Sequence, residues 1–530
     1  MKSVIKHLKL LMPIIILVII FAVVGLWLRS NSFDENLLDE NNIYSHIEEL
    51  TGDKYEGRLT GSPGNQEAMD YITEYLASIG VRPGGENDTY YQNFSALVPQ
   101  IDANPEFNVS VNGEVKEFTM YEDYKLLSSY NGGSADFSGD IILVGSNIRR
   151  IDPEFIKDKI VIIEAGTLTF DRISYVMGNG GAGIFCAYET LSAGSKYNYV
   201  SEKSLSASVK TGKSIVVGYI TQETYKYLIE ISDQSIKETE KYCLGLVPDV
   251  NIKADITFPI QETANIVGTI DGRTKNGRTL LITANIDGAG EGLSGKYFPG
   301  ALSTVSGAAT LLEVARVIAE QESLPYQNIV IVFYNGQSQG LLGSYYYLNN
   351  PLYPLDETTI IHLNNLGEST REGTKVFGDI VNSSILKSNF TSYAEDAGMT
   401  VTSSGNTYSA ASIFTDMKVP SVTINDALTK INNYDDTAEN IDKNALKNSA
   451  LVVLSYIKRV IFKDTNIDYM TLSGKLILLI FLLGLAVNYI LIKLYKTNPN
   501  SKLLGSTVEN IYFNSVTTGI RKFYYTFTPI

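Results

Sequence analysis

The sequence predicts an α/β fold in which a largely parallel sheet is covered by helices on both faces, with a β-rich insert and two membrane-spanning helices. Three observations predict it. Beyond Ala264, apolar strand-like runs alternate with helical patterns, the signature of strand–helix–strand units. Residues 118–247 instead read as short β-branched strands with glycine punctuation. Near the two chain ends, long apolar runs carry no charged residue.

Residues 10–28 (LLMPIIILVIIFAVVGLWL) are long enough to cross a bilayer, and Lys2, Lys6 and Lys9 precede them. The positive-inside bias puts residues 1–9 in the cytoplasm, with Trp27 at the far interface. A cleavable signal peptide is the rival reading, but no small-x-small cleavage site follows the run. Residues 476–492 (LILLIFLLGLAVNYILI) form a second, shorter candidate span. Lys493, Lys496 and Lys502 follow it, so the tail, residues 493–530, is also expected inside. A buried core helix is the alternative for this run. The expected product is a two-pass cell-membrane protein with its main domain outside the cell.

Between the spans, a helical run covers His46 to Leu50, and a turn-rich stretch runs from Glu56 to Gly64. Ala68, Tyr71, Ile72, Tyr75 and Leu76 then recur at helical spacing until Gly80. Strands are expected at residues 140–144 and 159–163 of the insert. In the alternating part, strands are expected at residues 279–286, 328–334, 359–363 and 421–424. Helices are expected after Ser306 as N-cap, over 340–348 and over 439–462. In such sheets the ligand site lies beyond the carboxyl ends of the strands.

Composition narrows the function classes. A chain of 530 residues with 44% hydrophobic and 19% charged residues is globular and holds more than one folded unit. A formal net charge of −15 argues against nucleic acid, whose phosphates need Lys and Arg. The two cysteines, Cys186 and Cys243, stand far apart in no C-x-x-C pattern, and their pairing is open.

The motifs Glu56-Gly57-Arg58-x-Thr60-Gly61-Ser62, Pro299-Gly300-Ala301…Ser306-Gly307, Gly340-Leu341-Leu342-Gly343-Ser344 and Asp436-Thr437-x-Glu439-Asn440-Ile441 together resemble metallopeptidase family twenty-eight, the co-catalytic zinc aminopeptidases. The resemblance implies a zinc-aminopeptidase-like mixed sheet. It covers residues 41–117 and 248–463, with residues 118–247 resembling the family's protease-associated insert. It also implies two zinc ions bridged by a carboxylate, and a glutamate that activates the metal-bound water.

At those positions this sequence departs from the family. Ala284-Asn285-Ile286-Asp287 replaces Ala-His-x-Asp, and Ser303 takes the place of the bridging aspartate. Gln337-Ser338 replaces the Glu-Glu pair that supplies base and ligand. Asn364 replaces a ligand aspartate, and Asn432 best matches the last histidine. Neutral amides and hydroxyls are poor zinc donors, and Gln337 accepts no proton at neutral pH. The expectation is therefore no bound metal and no catalytic residue, with Asn285, Asp287, Ser303, Gln337, Ser338, His362, Asn364 and Asn432 lining a degenerate cleft.

Replacement chemistry finds little support in the residue pattern. Of three histidines, His7 lies in the cytoplasmic segment, His46 on the first helix, and only His362 near the cleft. With Asp287 it falls short of the three protein ligands zinc normally takes, and a hydrogen-bonded structural role is expected. Ser303 and Ser338 have no G-x-S-x-G elbow. Asp435, Asp436 and Glu439 read as the acidic first turn of a helix. The expectation is a non-catalytic ectodomain that binds or scaffolds a peptide or protein, including another membrane protein, as nicastrin-type pseudo-peptidases do. The alternative is a hydrolase of the same family with a remodelled metal site.

Overall fold

A row of β-branched and aromatic residues, Asn328–Tyr334, is buried along its whole inner length and forms a central strand of the main sheet. The computed structural model describes residues 33–98, 100–101, 105–127, 133–188, 215–274, 278–292, 295–368, 373–378, 381–396, 398–405, 409–426 and 434–462. Both apolar runs read as spans, the segments flanking them, His7 and Asn432 lie outside these residues. Among the described residues, Phe33–Ile461 form one compact unit with two large sheets.

Nine described strands make the main sheet. Its order is Arg82–Pro83, Ile260–Ile270, Asn328–Tyr334, Thr279–Asn285, Thr358–Leu363, Ser421–Asn425, Thr374–Phe377 and Val401–Ser404, with Tyr91–Leu97 also paired to Ile260–Ile270. The four strands from Asn328–Tyr334 to Ser421–Asn425 are mutually parallel. Antiparallel pairs flank them on both sides, so the sheet is mixed. Tyr334, Asn285, Leu363 and Asn425 end the four parallel strands at one edge, with Asn364 directly after Leu363, which is where such sheets place their sites.

The helix Ser306–Ala319 packs against this sheet and is buried on nearly every face. Together with the turn before it, it is the one described helix long and apolar enough to cross a membrane, and its burial identifies it as a core helix. Its start differs from the sequence expectation. A π-helical turn, Ala301–Val305, precedes it after Gly300 at φ +67°, so Ser306 sits inside the helix and caps nothing. The Ser306 hydroxyl donates to Leu302 O (3.0 Å) and accepts from Leu366 N–H (2.8 Å).

Three other helices also shift from the sequence expectation. The first begins at Glu40, because Asp39 accepts the N–H of Asn41 as its cap. The helix expected over 340–348 is Leu342–Asn349, since Gly340 and Leu341 have positive φ. The last runs over Lys443–Tyr456, because Asp442 caps it, and a separate 3₁₀ turn holds Ala438–Asn440.

The second sheet draws its strands from Glu106 to Ala254. Its order is Glu114–Phe118, Glu106–Val111, Cys243–Ala254, Ala135–Val144, Ile160–Ile163, Gly183–Tyr188, Val216–Thr221 and Tyr124–Leu126. Register settles the cysteines. Cys243 pairs with Val144, Val144 with Ile163, and Ile163 with Cys186, so three strand spacings separate the thiols. That is about 14 Å, well beyond disulfide reach. Both thiols are free and buried.

Candidate functional site

The turn Glu56-Gly57-Arg58 is pressed against the loop that follows the strand Thr279–Asn285. Gly290 N–H donates to Gly57 O (3.0 Å) and Gly288 N–H to Arg58 O (2.9 Å). Gly57 has φ +66°, and a Cβ there would lie 2.5 Å from the Gly290 carbonyl oxygen, so the backbones meet only because the residue is glycine. The turn buries the Arg58 side chain, whose guanidinium donates to Leu50 O (2.6 Å), Pro299 O (2.7 Å) and Thr304 Oγ1 (3.3 Å).

Two buried carboxylates flank this cation. Asp287 accepts the backbone N–H groups of Gln337 (2.9 Å) and Ser338 (2.7 Å). Asp436 accepts those of Leu302 and Ser303 (3.1 Å) at the mouth of the core helix. Burial raises the carboxyl pKa of both, and the hydrogen bonds pull each back. Burial also lowers Arg58 to about 10, with the negative charges of Asp287 and Asp436 opposing that fall. Asp436 is thus a helix-mouth acceptor whose negative charge also bears on Arg58. The sequence reading of it as an acidic helix turn misses the arginine, which lies 378 positions earlier in the chain.

Along the strand ends, Asn285 Nδ2 donates to Asn364 Oδ1 (3.2 Å). Asn285 Oδ1 has no protein partner and is buried, and so is Gln337 Nε2; Gln337 Oε1 accepts from Ser344 Oγ (3.2 Å). His362 lies one pleat below Asn364, wholly buried, with Nδ1 against Thr283 Oγ1 (2.9 Å). Burial pushes its imidazole down to about 3, so it is neutral at ordinary pH.

A small pocket lies beyond these ends, lined by Gly288, Ala289, Phe298, Gly300, Ser303, Thr304, Ser338 and Asp436. Of the residues picked from the sequence, Ser303 and Ser338 line it directly. Asn285, Asp287, Gln337 and Asn364 form the adjoining strand-end layer, and His362 lies beneath them. Phe298 and Tyr434 stack at 4.3 Å beside the opening. Phe298, Thr304 and Arg58 were missed as site residues because their roles arise from contacts distant in sequence. The Glu-Gly-Arg turn was the available signal for Arg58.

Below the site, a network of neutral amides ties the N-terminal helices to the sheet. Asn335 Nδ2 donates to Asn65 Oδ1 (2.8 Å) and Thr263 Oγ1 (2.8 Å), and Asn65 Nδ2 returns a bond to Asn335 Oδ1 (3.1 Å). Thr60 Oγ1 donates to Gln339 Oε1 (2.6 Å). Among the described residues, no three His, Cys, Asp or Glu side chains come together in a metal-binding group.

With fold and site in view, the likeness to known proteins is specific. An aminopeptidase from Aneurinibacillus sp. strain AM-1 superposes with a TM-score of 0.62 at 16% identity, covering 80% of this chain and 95% of that one. A zinc aminopeptidase from Bacillus subtilis gives 0.61 at 16% identity, covering 80% and 96%. A Peptidase M28 precursor from Shewanella amazonensis gives 0.54 at 16% identity, covering 79% and 97%. At such identity these matches establish the fold. No curated protein sequence matches the chain. Residues 265–457 match the family model described as Peptidase family M28, and the chain has that family's fold.

Proposed function

We propose that this chain is a membrane-anchored, extracytoplasmic member of the Peptidase M28 fold that binds a peptide or protein segment and performs no hydrolysis. The observation that carries this reading is the donor set at the strand ends. Asn285 and Asn364 are neutral amides, joined by a bond from Asn285 Nδ2 to Asn364 Oδ1. Both oxygens of Asp287 already accept backbone N–H groups, and Ser303 and Ser338 are neutral. A pair of dications needs anionic or strongly basic ligands, so these residues do not fit a zinc pair.

What the layer offers instead is neutral hydrogen bonding of both senses. Asn285 Oδ1 is a buried acceptor and Gln337 Nε2 a buried donor. Both atoms are closed to solvent, so an entering peptide unit meets the pocket-lining hydroxyls of Ser303, Thr304 and Ser338, each able to donate and accept. The apolar runs at residues 10–28 and 476–492 support anchoring at both ends, with both termini cytoplasmic.

The test uses the full chain purified in detergent. Elemental analysis is expected to find far less than one zinc per chain, and aminoacyl-anilide substrates are expected to give no chelator-sensitive turnover. Two zinc ions per chain with turnover abolished by a chelator would establish the remodelled hydrolase instead. In native membranes, a photo-crosslinking residue at Tyr297, beside the pocket, is expected to capture one recurrent companion that the same residue at Val115 does not.

A further inference from the structure

Unpaired polar atoms gather on one face of the main sheet. Among the described residues, ten buried side-chain nitrogens and oxygens have no hydrogen-bond partner. Five of them share one neighbourhood: Asn285 Oδ1, Tyr334 Oη, Gln337 Nε2, Tyr347 Oη and His362 Nε2. Asn285 and Tyr334 are register partners on adjacent parallel strands, so their side chains leave the same face. The Tyr334 ring lies 6.0 Å from that of Tyr347 and 6.5 Å from that of His362. Gln337 joins the group through Ser344, whose hydroxyl donates to Gln337 Oε1. All five residues are at least nine-tenths buried.

Each unpaired atom destabilises the fold, because its water is stripped away and no protein group replaces it. The cover over these atoms is the helix Leu342–Asn349, which buries Ser344 and Tyr347 against the strand face. The turn leading into that helix is strained. Gly336 (φ +70°), Gly340 (φ +122°) and Leu341 (φ +61°) all have positive φ within six residues. Leucine carries a strain there that glycine does not. No side-chain cap holds the first turn of the helix. Ser338, in the same turn, lines the pocket.

We infer that the segment Gly336–Asn349 is a gate, which swings off the strand ends and admits a neutral hydrogen-bonding group to Asn285, Tyr334 and Gln337. In the closed state the unpaired atoms and the strained turn oppose closure, so local opening costs less than unfolding the domain. Once the gate is open, Asn285 Oδ1 accepts while Gln337 Nε2 and the Tyr334 hydroxyl donate, a set complementary to an amide. Buried Asp287, bonded to the Gln337 N–H, disfavours an anion. That the entering amide belongs to a peptide rests on the proposed function; the gate itself does not.

Thiol labelling of the full chain in detergent tests this. Ser344→Cys is a near-isosteric change on the buried side of the helix. Cys186 and Cys243, buried in the other sheet, are references that react only on wider unfolding. Rates with iodoacetamide, each scaled to the same thiol in the unfolded chain, are expected to be about 100-fold faster at position 344 than at either reference. Equal rates overturn the gate, whatever the zinc content proves to be. Adding Tyr347→Phe removes an unpaired hydroxyl and keeps the ring, and is expected to slow labelling at 344 by about five-fold or more. Unchanged or faster labelling overturns the role given to the unpaired atoms. Iodoacetate, an anion of similar size, is expected to label position 344 about five-fold more slowly than iodoacetamide after the same scaling. Equal rates overturn the neutral selectivity. Where Ser344→Cys does not fold, hydrogen exchange of the wild-type chain reads the same opening. Faster exchange over 342–349 than over 183–188 is expected, and equal protection overturns the gate.

Discussion

Asn285 and Asn364 face each other across two parallel strands and join through a single amide–amide hydrogen bond of 3.2 Å, at the edge where the fold concentrates its chemistry. Both groups are neutral amides. A negative charge at position 285 would lie near buried Asp287 and would leave the Asn364 carbonyl oxygen without its donor. Asn285→Asp is therefore expected to cost ~1–3 kcal/mol at pH 7. The deficit should shrink near pH 4, where a protonated carboxyl donates again. Urea midpoints at the two pH values check this.

Arg58 is a buried cation on which the charges of Asp287 and Asp436 bear, and its guanidinium bridges Leu50 O to Pro299 O. Arg58→Met removes the charge that opposes Asp287 and Asp436, and is expected to cost ~3–5 kcal/mol. Arg58→Lys should recover little of that loss, because a point ammonium does not span both carbonyls. Thermal melts of the two variants measured together decide whether the fork geometry matters.

Asp426 is buried, accepts Ser449 Oγ (2.8 Å) and Glu368 N–H (3.2 Å), and is pushed by burial up to about 7. The folded chain thus holds a proton that the unfolded chain releases near pH 4, so this group's stabilisation is lost as pH rises through 7. His46 and His362, lowered by burial to about 4 and about 3, act in the opposite sense and lose stability as pH falls below 6.5. The contribution of Asp426 is therefore read as a difference. Between pH 4 and 7, wild-type stability is expected to decline relative to that of Asp426→Asn, as followed by denaturant midpoints.

Burial raises the pKa of both thiols, and three strand spacings separate them. Neither is expected to react with a thiol reagent in the native chain, and both should react once it is unfolded in guanidinium. A native, non-reduced sample should release two thiols and show no disulfide by mass spectrometry. Recovery of a Cys186–Cys243 peptide would contradict the strand register.

Much of the main sheet was legible because its signals are local. Asn328 to Tyr334 is apolar at every buried position, and the 279–285 run and Ser421 to Ile424 mix buried aliphatic residues with buried Thr and Ser. Helix ends were less legible. Ser306 looked like a cap, yet the turn at Gly300 starts the helical backbone five residues earlier, a choice made by Asp436 binding Leu302 N–H from the far end of the domain. At the site, the resemblance to the zinc aminopeptidases singled out positions 285, 303, 337, 338 and 364. The pairing of Asn285 with Asn364, and the saturation of Asp287 by two backbone donors, could not.

The sequence by itself determined the alternation that builds the sheet, the neutral side chains at positions 285, 303, 337, 338 and 364, and the apolar runs at 10–28 and 476–492. Each is written in the chemical type and periodicity of neighbouring residues. Only the tertiary structure decided that the charges of Asp287 and Asp436 bear on Arg58, and that the two cysteines are held apart. These depend on contacts across hundreds of residues, where cooperative burial fixes geometry that no local pattern encodes.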